Sequence, residues 1–143
     1  MTASRQNLPR YWVAVVSANH VAVGVAAGFC QACHGKAAPL KRMKQGDYLL
    51  YYSPKTDLHG SEKLQAFTAA GKMTDERVYQ FEMSPDFIPY RRDVLYYQPV
   101  KPCPIEYARL HPEWKSYASR LRYGFFEVSK DFYLYIFNEM KQA

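Results

Sequence analysis

The sequence predicts an α+β fold, a small mixed β-barrel dressed with short helices, and three observations carry that prediction. Six short runs rich in aromatic and β-branched residues have strand length, and Gly, Pro, Asp and Ser separate them. Between and after these runs lie short segments with helical spacing and cap signals, the last of them at the C-terminus. The chain has 143 residues, which suits one domain around one core. No repeat, low-complexity tract or linker divides it, so residues 1–143 read as a single domain.

Residues 1–9 are polar, end at Pro9 and read as a mobile lead-in. They hold no apolar run of the kind a signal peptide needs, and no stretch of the chain is apolar for long enough to cross a bilayer. A cytoplasmic protein without membrane contact is expected, with Cys30, Cys33 and Cys103 reduced.

Residues 11–16, YWVAVV, form a continuous aromatic and β-branched run, the mark of a strand buried on both faces. Ser17 or Asn19 can cap a helix after it. Residues 20–28 are ambiguous: Val21, Val23 and Val25 alternate as in a strand, while Val21 and Val25 share a helical face and Gly28 suits a helix stop. Pro39 opens a short helix over residues 39–44, with Leu40 and Met43 on one face and Lys41, Arg42 and Lys44 on the rest. Gly46 and Asp47 make a turn into a second strand, residues 48–53. Residues 55–63 are a polar loop. Residues 65–73 are a third strand, whose Gly71 signals a bulge or a close approach. Residues 77–83 and 92–97 are the fourth and fifth, joined by a connector over 84–89. Residues 100–112 form an irregular, proline-rich cover with one helical turn near 105–110. A helix follows over 113–121, then a short strand over 125–128. Ser129 caps a last helix, with Asp131 in its first turn and an apolar stripe of Phe132, Tyr135, Ile136 and Met140.

A net charge of +6 and an aromatic content of 16%, with 13 tyrosines, favour a polyanionic ligand that also stacks, which is to say nucleic acid. Lys36, Lys41, Arg42 and Lys44 form a basic cluster suited to phosphate, though a solvated helix face has the same composition. Arg91 and Arg92 are neighbours on a strand and point to opposite faces, so one can reach phosphate or a carboxylate such as Asp93 or Glu82.

Cys30, Cys33 and His34 spell C-x-x-C-H, the attachment pattern of c-type haem. The missing export signal and the strand-rich composition oppose that reading. Zinc would need Cys103 or His20 as a fourth ligand. A thioredoxin-like pair would need a βαβ frame that the strand order lacks. Neither metal nor cofactor is expected, and the two cysteines read as small apolar packing residues, with Cys30 also close to a pocket. No nucleophile elbow, Walker loop, dinucleotide fingerprint or H-E-x-x-H is present, and no enzyme is expected. The alternative from another class is a small-molecule or metal/redox enzyme centred on Cys30 and His34.

Four segments in order carry a family resemblance. They are YWV at 11–13, GFCQACHGKAAPLKRMKQGDYLLYYSP at 28–54, FTAAGK at 67–72 and FIPYRRDV at 87–94. Together they resemble the EVE domain family of the PUA-like superfamily, relatives of the YTH readers of methylated adenine. The resemblance runs from residue 11 nearly to the end. It implies a PUA-like mixed β-pseudobarrel flanked by short helices and a C-terminal helix. It implies that 20–28 is a helix. It also implies a pocket for a modified base in DNA or RNA. Phe29 stands where YTH readers place one tryptophan wall of their cage. Ser17 and Asn19 match their polar rim, and Ser53 matches the Ser ending their second strand. With Cys30, Tyr51, Phe67, Tyr90 and Arg92, these form the expected ligand pocket. Lys36, Lys41, Arg42, Lys44 and Arg91 form the expected contact to the nucleic-acid backbone.

Overall fold

The computed structural model describes residues 8–143; of the expected lead-in over residues 1–9, residues 1–7 lie outside them. Strand β1 (Tyr11–Val15) leads into helix α1 (Ala18–Ala27) and the two-residue strand β2 (Phe29–Cys30). Helix α2 (Ala37–Lys41) precedes the long strands β3 (Tyr48–Lys55) and β4 (Lys63–Met73). Then come β5 (Tyr79–Gln80), β6 (Tyr90–Tyr96) and β7 (Cys103–Pro104). Helices α3 (Ile105–Ala108) and α4 (Trp114–Ala118), a 3-10 turn (Leu121–Tyr123), β8 (Phe125–Val128) and α5 (Lys130–Met140) complete the chain.

The strands form one curled sheet in the order β2-β6-β4-β3-β1-β8, with β5 added to β6 and β7 to β4. β1 and β3 pair in parallel, and the other pairs are antiparallel. Both faces are buried, which is why β1 reads as an unbroken apolar run. Tyr11 and Val13 point to a core with Leu50, Tyr52, Phe67 and the α5 residues Phe132, Tyr133, Ile136 and Met140. Trp12 and Ala14 point the other way, to Leu49, Tyr51, Met73, Leu40 and Cys30. The buried Asp47 ties β1 to the turn before β3, because its carboxylate accepts from the Arg10 N–H, the Lys44 N–H and Trp12 Nε1, each at 2.9–3.0 Å.

Several boundaries differ from the sequence expectation. Residues 20–28 are helical from Ala18 on, so Val21 is buried while Val23 is exposed, and the strand alternative fails. Gly28 ends the helix in the left-handed region (φ +80°), and its N–H donates to the Gly24 carbonyl. Helix α2 runs over Ala37–Lys41 rather than 39–44. Pro39 is its third residue, still within the first turn, where no N–H has a helical acceptor. The expected strand over 77–83 pairs with β6 only at Tyr79 and Gln80. Beyond it, the N–H groups of Phe81 and Met83 donate to the carbonyls of Pro89 and Phe87, closing a local loop. β6 starts at Tyr90, two residues earlier than expected. The expected helix over 113–121 divides into α4 and the 3-10 turn, which stops at Gly124 (φ +79°). Gly71 makes a close approach: a Cβ there would meet Val94 Cγ1 at 2.5 Å, so β4 and β6 can pack only around glycine. Among the described residues no helix is long and apolar enough to cross a membrane.

Ser129 caps α5 as expected, its Oγ accepting from the Phe132 N–H at 3.0 Å. The same hydroxyl donates to Glu113 Oε1 (2.6 Å), which also accepts from the Tyr117 hydroxyl (2.8 Å). The Ser129 bond, then the Tyr117 bond, hold the Glu113 carboxyl below its ordinary value. A carboxylate with a lowered folded pKa stabilises the fold above its unfolded value, about 4.3, and loses that contribution as pH falls through the folded pKa. Glu113→Gln is therefore expected to flatten the acid limb of a stability–pH profile measured by urea unfolding. An acid limb as steep as the parent's would show that this network is energetically silent.

A candidate ligand-binding concavity

The parallel strands β1 and β3 direct their C-terminal ends to one spot, and α1 starts there at Ser17. A concavity of about 770 Å³ opens at this place. Ligand sites commonly form outside the carboxyl ends of parallel strands. Val15, Val16 and Ser17 line it from β1, Tyr51, Pro54 and Lys55 from β3, and His20, Val23 and Gly24 from α1. Phe29 of β2 and the turn after it form another side, the loop residues Met83 and Phe87 a third, and residues 121–124 the last.

Its aromatic walls are held by hydrogen bonds behind them. The Tyr51 hydroxyl donates to the Gln31 carbonyl (2.8 Å) and accepts from the Gln31 N–H (3.0 Å). The Tyr96 hydroxyl donates to the Phe29 carbonyl (2.8 Å). Burial pushes both phenols well above their ordinary range, so both remain neutral donors. Three successive residues, Cys33, His34 and Gly35, have positive φ (51°, 61° and 83°), an arrangement costly for the first two. Gly35 is required here, because a Cβ would meet Pro89 Cβ at 2.4 Å.

The charge of the concavity is one-sided. His20, His34, Lys55 and Arg122 lie along it, and no aspartate or glutamate is among the described residues that line it. Ser17 is only 6% exposed, and its Oγ has no hydrogen-bond partner among the described residues. A buried hydroxyl without a partner is costly unless something else satisfies it. Ser17 stands at the N-cap of α1 without capping it through its side chain, so the hydroxyl is left to the concavity.

Of the pocket residues expected from sequence, Ser17, Phe29 and Tyr51 come together here. The other six stand elsewhere. Asn19 is exposed, and its backbone N–H donates to the Thr56 carbonyl. Cys30, in β2, is buried, and desolvation raises its thiol to about 12, so it stays protonated at neutral pH. Ser53 is fully buried against Thr68, with 2.7 Å between the two hydroxyl oxygens. Phe67 lies in the opposite core, edge-on to Tyr52 and Trp114, because alternation along β4 turns it away. Tyr90 packs against the second core, with its N–H on the Gly35 carbonyl.

The two arginines correct the expectation that one of them faces solvent or phosphate. Both are buried. Arg92 donates from its guanidinium to the carbonyls of Leu40, Met43 and Asp75, a structural fork under α2. Arg91 is clamped between two rings, 3.6 Å from the centroid of Phe29 and 4.0 Å from that of Phe81. In the expected basic cluster, Lys36, Lys41 and Lys44 are exposed, while the Arg42 guanidinium stacks over Trp12 and Phe125. None of these four lines the concavity.

Sequence reasoning did not assign Lys55, Met83, Phe87, Arg122 or Tyr123 to the site. One signal existed: Met83 just before the connector over 84–89, and Phe87 and Ile88 within it, are apolar residues beside Ser, Pro and Asp, and all three are exposed. His34 lines the concavity, but among the described residues no three His, Cys, Asp or Glu side chains gather to hold a metal.

Comparison with known proteins agrees along almost the whole chain. The EVE domain family model matches residues 10–139. A UPF0310 protein of Streptococcus mutans is 72% identical over 132 residues, covering 92% of this chain and 97% of that one. The UPF0310 protein YdcG of Bacillus subtilis is 42% identical, covering 91% of each. Among solved structures, the NMR structure of Rpa0253 from Rhodopseudomonas palustris superposes with a TM-score of 0.61 over 94% of each chain, at 16% identity. A hypothetical protein from Leishmania major gives 0.63 at 11% identity, over 94% of this chain and 96% of that one. These two share the fold.

Proposed function

The chain belongs to the EVE domain family, PUA-like modules of the RNA- or DNA-binding class, and on that premise we propose that it takes an unpaired, modified base into the concavity beside Ser17. The observation that carries this reading is the Ser17 hydroxyl, buried, without a partner among the described residues and lining the same concavity as the rings of Phe29 and Tyr51. A base offers what such a hydroxyl lacks, an edge with donors and acceptors, and also a flat face to stack. The concavity has room for a base with its sugar, and Lys55 and Arg122 supply positive charge for the adjoining phosphates. The recognition step is then stacking, one edge hydrogen bond and charge neutralisation, with no covalent chemistry.

Two substitutions test the two halves of this reading by fluorescence anisotropy with single-stranded oligonucleotides bearing the modification found by nucleoside mass spectrometry of co-purified nucleic acid. Ser17→Ala removes one edge contact and is expected to weaken binding roughly fivefold to tenfold, while leaving the salt dependence unchanged. The Lys55→Ala/Arg122→Ala pair is expected to lower the slope of log affinity against log salt by about 1.4, modified or not. Lys41→Ala/Lys44→Ala, outside the concavity, is expected to change that slope less. Equal effects of the two lysine-containing pairs would place the backbone contact away from the concavity. An unchanged affinity for Ser17→Ala would remove the hydroxyl from recognition.

A further inference from the structure

We propose that this site selects uncharged modified bases and rejects bases that methylation has made cationic, with Arg91 as a specificity-determining residue behind the Phe29 wall. The inference rests on the base-binding reading above and adds the charge class of the ligand.

Three features converge on it. The first is the lining itself, which carries two permanent cations, Lys55 and Arg122, two histidines and, among the described residues, no carboxylate. A site that welcomes a cation needs either a carboxylate or several open, electron-rich ring faces. The second feature is that three of the four Phe and Tyr rings lining it, Phe29, Tyr51 and Tyr123, already have a partner, and among the described residues Phe87 alone is left open. Arg91 sits 3.6 Å over Phe29, and Arg122 sits 5.3 Å over Tyr123. Tyr51 is stacked on Tyr96 behind it. A ring with a guanidinium on one face attracts positive charge less at its other face, and a cationic base beside it adds a like charge. A neutral base meets no such penalty, and its polarisable face suits a ring drawn toward a cation.

The third feature is that the charge of Arg91 is uncompensated and fixed. Arg91 is only 6% exposed, it makes no ion pair among the described residues, and its Nε is buried without a hydrogen-bond partner. The nearby Asp93 carboxylate is engaged by Arg77 and by the Tyr79 hydroxyl instead. The rings of Phe29 and Phe81 both pack on the guanidinium, at 3.6 and 4.0 Å, and favour its present position. Arginine keeps its charge in such places, whereas lysine readily loses it. Arg91 does not line the concavity and acts through Phe29.

Isomeric methylated bases isolate charge from size. N6-methyladenine and N1-methyladenine have the same heavy atoms, as do 5-methylcytosine and 3-methylcytosine, and N2-methylguanine and 7-methylguanine. In each pair the second carries a positive charge on its ring, the 7-methylguanine pair being measured below pH 7 so that N1 stays protonated. Affinities of the full chain for short single-stranded oligonucleotides carrying each base are compared with those of Arg91→Met, which keeps length and bulk, and Arg91→Lys, with thermal melting to confirm folding. For the pair that binds best, the uncharged isomer is expected to bind roughly tenfold tighter or more than the cationic one. Arg91→Met is expected to reduce that ratio to roughly threefold or less, and Arg91→Lys to retain more of it than Met does. Equal or tighter binding of the cationic isomers overturns the proposal. A ratio that Arg91→Met leaves intact overturns the role of Arg91. If none of the six bases binds better than its unmodified parent, the base-binding reading itself falls, which is a different outcome.

Discussion

Phe29→Ala is expected to weaken binding of a modified-base oligonucleotide roughly tenfold or more, because loss of a stacking wall typically costs about 1–3 kcal/mol per base. The salt dependence should stay as it was, since the ring neutralises no phosphate. That combination separates the wall from Lys55 and Arg122, whose loss acts on the slope. Phe29 also covers Arg91, so alanine at this position opens a space beside a buried guanidinium. Phe29→Leu keeps apolar bulk while removing the flat face, and it is expected to melt nearer the parent while still binding weakly. A folded Phe29→Leu protein that binds modified and plain oligonucleotides as the parent does would show that the concavity does not stack a base.

Arg92→Met is expected to lose about 3 kcal/mol or more of folding stability in urea unfolding, since each buried carbonyl left without its donor costs about 1–3 kcal/mol. Three carbonyls are affected. Those of Leu40 and Met43 belong to α2 and the turn after it, and that of Asp75 to the link after β4. The helix is only five residues long and has no side-chain cap at its N-terminus, so it depends on this fork for its place. Lysine presents one ammonium in place of a planar fork and is expected to rescue only part of the loss. A loss under about 1 kcal/mol would mean that water reaches these carbonyls when the side chain is cut back. The largest stability effect and the largest binding effect thus come from residues 92 and 29, paired across β2 and β6 through their neighbours: Cys30 faces Arg92, and Phe29 faces Asp93.

Much of the architecture is legible in the residues. The unbroken run at 11–15 states a strand covered on both faces, Gly28 states a helix stop, and Ser129 with Asp131 states the start of α5. Gly71 marks the close approach of β4 to β6. Residues 20–28 are the instructive case on the other side. Their valines fit both periods, and only the packing of Val21 under the helix and of Gly24 against the Phe29 carbonyl decides between them. The family likeness resolved that ambiguity in the direction the fold confirms.

The site is legible only in part, for a physical reason. Sequence declares what a residue can do: Arg91 and Arg92 are cations, Ser17 and Ser53 are hydroxyls, and Phe29 and Phe67 are rings. It does not declare what is already doing it for them. Ser53 finds Thr68, Phe67 finds Trp114 and Phe132, and Arg92 finds three carbonyls, so these groups are spent inside the core. Among the described residues Ser17 finds no hydrogen-bond partner, and Arg91 finds only rings. Those partners lie far away along the chain, brought near by the pairing of β2 with β6 and by the loop over 81–88. By itself the sequence determined most of the strands, the caps, the family and the chain's own basic, aromatic character, which favours an anionic ligand that stacks. The tertiary structure alone decided which polar and aromatic groups remain unspent, because hydrogen-bond satisfaction and burial belong to contacts between distant segments and not to any one of them.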